Sequence, residues 1–426
     1  MTSIIVLIVL FFILVFTGMP IAIAIGGASI VTLLNQGNIP SLVVPQRVFV
    51  MLDSFPMMAV PLFILSGEVM SRGGIAQKLI KFSSVLVGHI RGSQAQVTIV
   101  SNMFMSCVSG SASAGCTAIG SIMVPSMLEE GYDKDYAVAV LGSSSVLGAI
   151  IPPSIMMVIY GSMANVSVGK MFIGGYVPGL ILVAGLMALS YYYATKRKYI
   201  VHKRSSIKEI GLAFKDAFWA LLMPVIILGG IMSGVFTPTE AGGVACLYAF
   251  IVGFATRNIK IRDLKSIFYK SAVSTTVPML IIGIAAIFGW LLTINNFHQY
   301  IGRMFYSITD SQLGFLMIVL VFYFVFGLFI ESNAVLIIMT PVLAPMAAKY
   351  GVDPIHFGVI TVIALIIGAL TPPVGILLFI STNLAGTKLD KVLGLVWRYA
   401  FLLIALTFVF AFFPKIITWL PNLLMK

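Results

Sequence analysis

Two short polar clusters interrupt otherwise apolar stretches of this chain, and each is followed by a Gly-Ala-x-x-Pro-Pro motif. The clusters are Ser109, Ser111 and Ser113, then Glu331, Ser332 and Asn333; the motifs lie at 148–153 and 368–373. Proline breaks a helix because it lacks a backbone N–H and clashes with the preceding turn. A broken helix exposes carbonyl oxygens that can ligate Na+ and amide groups that can receive an anion. The pattern therefore predicts two ion sites.

The expected cation ligands are the oxygens of each cluster and the carbonyls around the motif that follows it. The first site is predicted at Ser109, Ser111, Ser113, Gly148, Ile151 and Pro152. The second is predicted at Glu331, Ser332, Asn333, Gly368, Thr371 and Pro372. Substrate contacts are predicted at Ser111, Ala112, Pro153, Asn333 and Pro373. Small residues also pack membrane helices closely, but two matching pairs of motifs favour binding sites over packing alone.

The composition places these clusters in a membrane. The chain of 426 residues is 60% hydrophobic and 9% charged, with a mean hydropathy of +1.08. Soluble domains carry about 25% charged residues, and an apolar run of about 20 residues spans a bilayer. Ten spans are predicted at 3–17, 19–35, 56–71, 135–163, 172–195, 216–235, 239–256, 272–293, 357–385 and 395–413. The segment 36–55 is predicted to be a polar loop.

The chain repeats itself at a constant spacing of 220 residues. The two Gly-Ala-x-x-Pro-Pro motifs match in this register, as do Asp133 and Asp353. This predicts a duplication into 1–210 and 211–426, with five spans in each half. The segments 92–128 and 311–347 are predicted to be re-entrant hairpins of two half-depth helices. Five is an odd number, so the second half is expected to be inverted, as in many secondary transporters.

The distribution of Lys and Arg predicts how the chain is oriented in the membrane. Its 26 Lys and Arg against 14 Asp and Glu give a net charge of +12. With both termini outside, the inner loops hold 20 of these cations and the outer loops hold 6. Cytoplasmic loops carry such an excess. The basic balance therefore predicts periplasmic termini and membrane orientation, and it argues against nucleic-acid binding.

Three acidic residues are candidates for a role within the membrane. Glu240 is expected to cap the helix that follows it, since carboxylates favour helix N-termini. The role of Glu68 is left open, and Glu331 is the functional candidate. No Lys or Arg lies in the middle of a predicted span. An anionic substrate would therefore depend on bound cations, helix N-termini or a cation reaching in from a loop.

Sequence motifs for enzymes are missing from the chain. It contains no GxxxxGK loop, no HExxH and no GxSxG, which are the patterns of phosphate cradles, zinc hydrolases and serine hydrolases. The sequence therefore predicts a transporter driven by an ion gradient rather than an enzyme. An intramembrane enzyme and a passive channel are the less favoured classes, because interrupted helices in paired repeats are typical of transporters.

The chain resembles the large membrane subunit of tripartite ATP-independent periplasmic (TRAP) transporters, of the DctM or SiaM type. The matching strings are 18–20, 60–68, 109–114, 151–154, 237–241 and 370–375. The resemblance covers essentially the whole chain. The tips differ from each other, since Ser111 and Ser113 correspond to Glu331 and Asn333.

The resemblance implies an all-α polytopic fold in the bacterial inner membrane. It also implies an elevator mechanism, in which the hairpins and interrupted spans move against a scaffold. It implies Na+-coupled import of an organic-acid anion such as a C4-dicarboxylate, sialic acid or another sugar acid. The implied partners are a separate four-span membrane subunit of the DctQ or SiaQ type and a periplasmic binding protein of the DctP or SiaP type. The alternative is a divalent-anion/Na+ symporter that works without a binding protein.

Overall fold

The computed structural model describes residues 2–37, 39–373 and 375–425, so Met1, Asn38, Val374 and Lys426 lie outside the described residues. Within these ranges the chain is helical and contains no β-strand. The helices before residue 200 are α1 (Thr2–Phe16), α2 (Ile21–Gln36), α3 (Val43–Leu52), α4 (Ala59–Arg72), α5 (Ile75–Val87), α6 (Ser93–Ser109), α7 (Ala112–Glu129), α8 (Lys134–Ser145), α9 (Ile155–Ala164) and α10 (Val168–Lys196).

The helices after residue 200 follow a similar order. They are α11 (Ile207–Met232), α12 (Pro238–Ala255), α13 (Ile261–Ile294), α14 (Phe297–Ile308), α15 (Gln312–Phe329), α16 (Ser332–Lys349), α17 (Pro354–Gly368), α18 (Ile376–Ala385), α19 (Leu393–Phe412) and α20 (Lys415–Leu424). Short 3₁₀ turns lie at Phe55–Met58, Val146–Ala149 and Leu389–Lys391.

Seven of the described helices are long and apolar enough to cross a membrane. The number rises to eight if α3 and the helical segment Phe55–Arg72, bent by 61° from it, form one span. Shorter apolar helices include α2 and the two pieces α17 and α18. The chain is therefore a multi-pass membrane protein, as its composition predicts. The count of ten spans stays a prediction.

The two predicted hairpins are pairs of packed helices. Hairpin one consists of α6 and α7, and hairpin two consists of α15 and α16. Their ends lie within two residues of the predicted segments 92–128 and 311–347. The arms contain 17 or 18 residues, which is about 26 Å of helix at about 1.5 Å per residue. These lengths agree with two helices in each predicted segment, and the depth that the arms reach in the membrane stays a prediction.

Two predicted spans are interrupted at their proline pairs. The first break, residues 146–154, lies between α8 and α9, and the second break, residues 369–375, lies between α17 and α18. Both Pro-Pro bonds are cis. In the first break the buried Ser154 hydroxyl donates to the Ala149 carbonyl at 2.5 Å and accepts from the Met157 amide at 3.3 Å. One side chain thus satisfies backbone groups that an apolar environment would leave unpaired.

Several helices were missed in the sequence. The predicted loop 36–55 contains α3, the helices α5 and α14 lie between predicted spans, and α20 follows the last predicted span. The apolar side chains of α5 and α14 are confined to one face, which is typical of helices lying along a membrane surface. A search for long apolar runs does not detect such helices, because polar residues interrupt each run.

Some hydrogen bonds recur at the spacing of 220 residues. The Tyr136 hydroxyl donates to the Ser190 carbonyl at 2.8 Å. The His356 Nε2 lies 2.9 Å from the Phe410 carbonyl, at the matching positions of the second half. Each contact ties the start of an interrupted span to a later helix, α10 in one case and α19 in the other. The inversion of the two halves stays a prediction.

Arg197 joins the end of α10 to the start of α8. Its Nη1 and Nη2 donate to the two carboxylate oxygens of Asp135 at 2.7 Å, and Nη1 also donates to Asp133 at 2.8 Å. The hydrogen bond with Asp135 raises the pKa of the guanidinium. The Tyr199 hydroxyl donates to Asp133 at 2.7 Å, and burial raises the pKa of Tyr199 to about 12. This cluster fixes the helix that leads into the first break.

We expect Arg197→Lys to destabilise the protein. An ammonium group cannot donate the parallel pair of hydrogen bonds that a guanidinium makes, so the free energy of unfolding is expected to fall by about 1.5–3 kcal/mol. The matched control is Lys81→Gln, which removes an ion pair with Asp216 that is largely exposed and is expected to cost about 1 kcal/mol or less. Unfolding of the purified protein in mixed micelles measures both. Equal stability of the two variants would contradict the role of Arg197.

Candidate cation and substrate site

The tip of hairpin one is a group of serine hydroxyls. Gly110 follows α6 at a φ of +61°, a conformation that costs glycine little. The Ser111 hydroxyl then accepts from the Ala114 amide at 3.4 Å and caps α7. The same hydroxyl lies 3.2 Å from the Ser113 hydroxyl, and the Ser109 hydroxyl donates to the Ser111 carbonyl at 3.3 Å. The three predicted serines therefore lie together.

The first break lies directly against this tip. A Cβ on Gly148 would lie 2.7 Å from the Cα of Ala112, and a Cβ on Gly110 would lie 2.6 Å from the Pro153 carbonyl oxygen. The Ile155 amide donates to the Gly110 carbonyl at 3.3 Å. The two glycines thus allow the backbones of the tip and the break to touch.

The other side of the first break packs against α10. A Cβ on Gly179 would lie 2.7 Å from the Cγ1 of Ile151, and one on Gly175 would lie 2.5 Å from the Ile150 carbonyl oxygen. Ile151 and Pro152 are buried. The side chain of Ile151 therefore faces α10, and only backbone atoms of this residue are available as polar ligands.

The tip of hairpin two carries a carboxylate. The Glu331 Oε2 accepts from the Ala334 amide at 3.0 Å and caps α16, while Oε1 accepts from the Asn333 Nδ2 at 2.5 Å. A carboxylate can only accept here, so the Asn333 amide nitrogen must face Glu331 and its Oδ1 must face away. This Oδ1 is buried and has no hydrogen-bond partner among the described residues. The Ser332 hydroxyl donates to the Leu365 carbonyl at 2.8 Å.

The second break packs differently from the first. A Cβ on Gly368 would lie 2.6 Å from the Cα of Gly327 in α15, so this break touches the first arm of its hairpin. The Thr371 hydroxyl donates to the Gly368 carbonyl at 3.0 Å. Pro372 is half-buried and Pro373 is exposed, whereas Pro152 and Pro153 in the first break are both buried. In the described part of the chain, no hydrogen bond joins Thr371 to Glu331 or Asn333. The two predicted sites are thus related but not identical.

Each hairpin packs against a helix from the interrupted span of the opposite half. The second arm of hairpin one, α7, packs against α18, and the second arm of hairpin two, α16, packs against α9. Where α7 meets α18, the Cys116 sulfur lies 3.4 Å from the Ser381 hydroxyl. Each hairpin therefore contacts the interrupted span of the opposite half as well as its own.

The remaining acidic candidates have structural partners. Glu240 forms a capping box with Thr237, whose amide donates to the carboxylate at 2.8 Å, so the predicted capping role is confirmed. Glu68 lies 3.7 Å from Arg72, one helical turn away on α4. In the described ranges no three His, Cys, Asp or Glu side chains form a metal-binding group. Oxygen donors at the tips are thus hydroxyls, an amide, carbonyls and the Glu331 carboxylate, which suit a hard cation such as Na+.

Some residues near the site were not identified in the sequence. A Cβ on Gly67 of α4 would lie 3.2 Å from the Cα of Ser109, so α4 supports the first tip. The Asn102 amide in α6 donates to the Ser144 hydroxyl in α8 at 2.8 Å. Small or polar residues in an apolar helix are the available signal for such contacts, but this signal does not identify the partner.

The fold is shared with two solved membrane transporters. MtrF of Neisseria gonorrhoeae, described as illuminating a class of antimetabolite efflux pumps, aligns with a TM-score of 0.57 at 11% identity, over 86% of this chain and 82% of its own. The YdaH transporter of Alcanivorax borkumensis aligns with a TM-score of 0.58 at 14% identity, over 86% of each chain. The described residues therefore share the helical membrane-protein fold of these two structures, as predicted.

Sequence similarity then defines the family. Residues 8–416 match the family described as "Tripartite ATP-independent periplasmic transporter, DctM component". The chain belongs to this family. The predicted resemblance is therefore confirmed, and membership of a transporter family also confirms that the chain is not an enzyme.

Relatives with assigned substrates cover most of this chain. The sialic acid TRAP transporter large permease SiaM of Vibrio cholerae is 35% identical over 96% of this chain and 96% of its own length. The C4-dicarboxylate large permease DctM of Pseudomonas aeruginosa is 36% identical over 94% of each chain. The isethionate permease DctMQ of Oleidesulfovibrio alaskensis is 37% identical over 94% of this chain, which spans 63% of that relative's length.

Proposed function

We propose that this chain imports an organic-acid anion by coupling its movement to Na+. The observation that carries the proposal is the buried Oδ1 of Asn333, which lacks a hydrogen-bond partner among the described residues. The amide nitrogen of the same side chain donates to the Glu331 carboxylate. An unpaired buried acceptor costs about 1–3 kcal/mol. A cation bound at this tip would satisfy that oxygen and offset the negative charge.

The second cation site is proposed at the tip of hairpin one. Ser111 and Ser113 supply neutral hydroxyls there, and the close approach of Gly148 brings backbone carbonyls to the same tip. Hydroxyl and carbonyl oxygens around an interrupted helix are suitable Na+ ligands. A neutral site and a site with a carboxylate are expected to differ in Na+ affinity.

The substrate is proposed to bind between the two tips. The N-termini of α7 and α16 begin there, and helix N-termini attract anions through their free amides and dipoles. Tip residues Ser111, Ala112 and Asn333, and break residues Pro153 and Pro373, remain the proposed contacts. Relatives named for sialic acid, C4-dicarboxylate and isethionate support a small organic anion. Two bound Na+ would supply the positive charge that the spans lack.

We propose the remaining parts of the transport system on the same basis. A periplasmic binding protein would deliver the anion, and a separate four-span membrane subunit would complete the permease. The excess of Lys and Arg in inner loops supports periplasmic termini in the bacterial inner membrane. Hydrogen bonds that recur at 220 residues support the proposed repeat, and the odd number of predicted spans in each half supports its inversion. Movement of the hairpins and interrupted spans as an elevator is the proposed mechanism.

Substitutions at the two predicted cation sites test the proposal. Thr371→Val removes the oxygen without changing the size of the side chain, and Ser113→Leu fills the first tip. Each is expected to raise the Na+ concentration for half-maximal uptake about tenfold, because a lost ligand is worth about 1.4 kcal/mol or more. Uptake at varied Na+ in proteoliposomes measures this shift.

Two variants serve as controls for these substitutions. Thr371→Ser keeps the hydroxyl and is expected to keep the Na+ dependence. Thr407→Val removes a buried hydroxyl that donates to the Leu403 carbonyl at 2.8 Å in α19, away from both tips. Wild-type Na+ dependence in both Thr371→Val and Ser113→Leu would refute the site assignment.

A further inference from the structure

A cavity of about 820 Å³ opens between the start of α8 and the end of α18. Its lining residues that can bind an anion or balance its charge are Lys134, Asp135, Asn383, Thr387, Lys388 and Lys391. Volumes of about 300–1,000 Å³ are typical of small-molecule sites. The cavity is therefore large enough for an organic acid of the size that the relatives transport.

The charge balance of this cavity is positive. Lys388 and Lys391 are exposed, and the Lys134 ammonium donates to the Gly386 carbonyl at 3.1 Å at the end of α18. The one acidic residue of the lining, Asp135, is held by two hydrogen bonds from Arg197. Arg197 also pairs with Asp133, so it offsets the charge of Asp135 only in part. The three ammonium groups of the lining still outnumber its single carboxylate.

The cavity lies one helix away from the candidate substrate site. Helix α18 begins directly after the second break and ends at Ala385, beside the cavity. Its ten residues rise about 15 Å. The segment that follows α18 lies on the cytoplasmic side in the proposed orientation, so an anion released from the breaks would meet these ammonium groups before it reaches bulk solvent.

We propose that this cavity is a second anion site, which binds the organic anion after it leaves the second break toward the cytoplasm. The inference rests on the proposed function. An excess of cytoplasmic lysines alone follows from membrane topology. A cavity that combines three lysines with hydroxyl and amide donors, and whose one carboxylate is paired with Arg197, also fits a carboxylate or sulfonate ligand. An anionic lipid headgroup would bind through similar chemistry, and the experiment below distinguishes it from an organic anion.

Amine footprinting tests the site directly. The full chain in nanodiscs of neutral lipid is treated with an amine-reactive reagent, with and without succinate, sialic acid or isethionate, and with chloride at equal ionic strength. Labelling of Lys388 and Lys391 is expected to fall about threefold with at least one organic anion, whereas labelling of Lys208 in the inner loop stays unchanged. This readout does not require transport.

Three outcomes would overturn the second site. These are equal protection by chloride, no protection by any of the three anions, and protection only when phosphatidylglycerol replaces the neutral lipid. The last result would assign the cavity to a lipid headgroup. Uptake by the wild-type transporter is measured in parallel, so that failure to transport any of the anions refutes the proposed function separately.

The double variant Lys388→Gln/Lys391→Gln provides a second measurement. Organic anion loaded inside the liposomes is expected to inhibit uptake less strongly in this variant. About three- to tenfold more internal anion should be needed for the inhibition seen in the wild type. Half-saturation by external substrate is expected to stay the same, because the transport site itself is intact. A change on the external side alone would contradict a cytoplasmic site.

Discussion

Replacing Gly148 with alanine is expected to lower Na+-dependent uptake about a hundredfold, since a shift of about 1 Å in a positioned site has effects of that size. The new Cβ would lie 2.7 Å from the Cα of Ala112, a backbone atom that no rotamer change can move. The tip of hairpin one would have to move away from the first break. Uptake in proteoliposomes at fixed Na+ gradient measures the loss.

The second break offers a parallel substitution. Gly368→Ala would place a Cβ 2.6 Å from the Cα of Gly327, and we expect a similar loss. The control is Gly229→Ala in α11, where a Cβ meets nothing within 4 Å. Helical alanine is favoured over glycine, so the control should fold and transport at least as well as the wild type. Full uptake by Gly148→Ala would show that the tip and the break do not need to touch.

Replacing Asn333 with alanine is expected to abolish most of the response to Na+. The oxygen that this change removes is the buried Oδ1 that has no hydrogen-bond partner among the described residues. Loss of a ligand worth about 1–3 kcal/mol lowers Na+ affinity about ten- to a hundredfold. Because ligand binding stabilises the folded state by mass action, NaCl should raise the unfolding temperature of the wild type and not of the variant.

A half-buried asparagine with satisfied hydrogen bonds provides the control. The Asn295 amide donates to the Leu291 carbonyl at 2.8 Å, and its oxygen accepts from Gln36 at 3.1 Å. Asn295→Ala is expected to lower stability equally in NaCl and KCl. If Asn333→Ala keeps the wild-type difference between NaCl and KCl, Asn333 does not hold the cation.

The main elements of this fold were predictable because each has a strong local signal. Long apolar runs identify the spans, Pro-Pro pairs identify both breaks, and serine or acidic residues in apolar surroundings identify both tips. The helices α5 and α14 were missed because their apolar residues lie on one face, so polar residues interrupt any long apolar run. The length of α13 was also underestimated, since it begins at Ile261 among charged residues, well before the apolar run at 272–293.

The sequence proposes the residues of the candidate site but not the geometry that joins them. Matching motifs predicted that Ser111, Gly148, Glu331 and Asn333 belong to paired sites. Spacing cannot show that Gly148 touches the hairpin tip while Gly368 touches Gly327. These contacts depend on how helices distant in sequence pack, and on which atoms remain unpaired after packing.

Uptake driven by an imposed Na+ gradient tests the central claim most directly. The chain, its small membrane subunit and its binding protein would be reconstituted in liposomes with labelled succinate, sialic acid or isethionate outside. An inward Na+ gradient is expected to drive accumulation of one of these anions, and an equal K+ gradient is expected to drive none. Accumulation that is the same with K+ as with Na+ would contradict Na+ coupling and both cation sites.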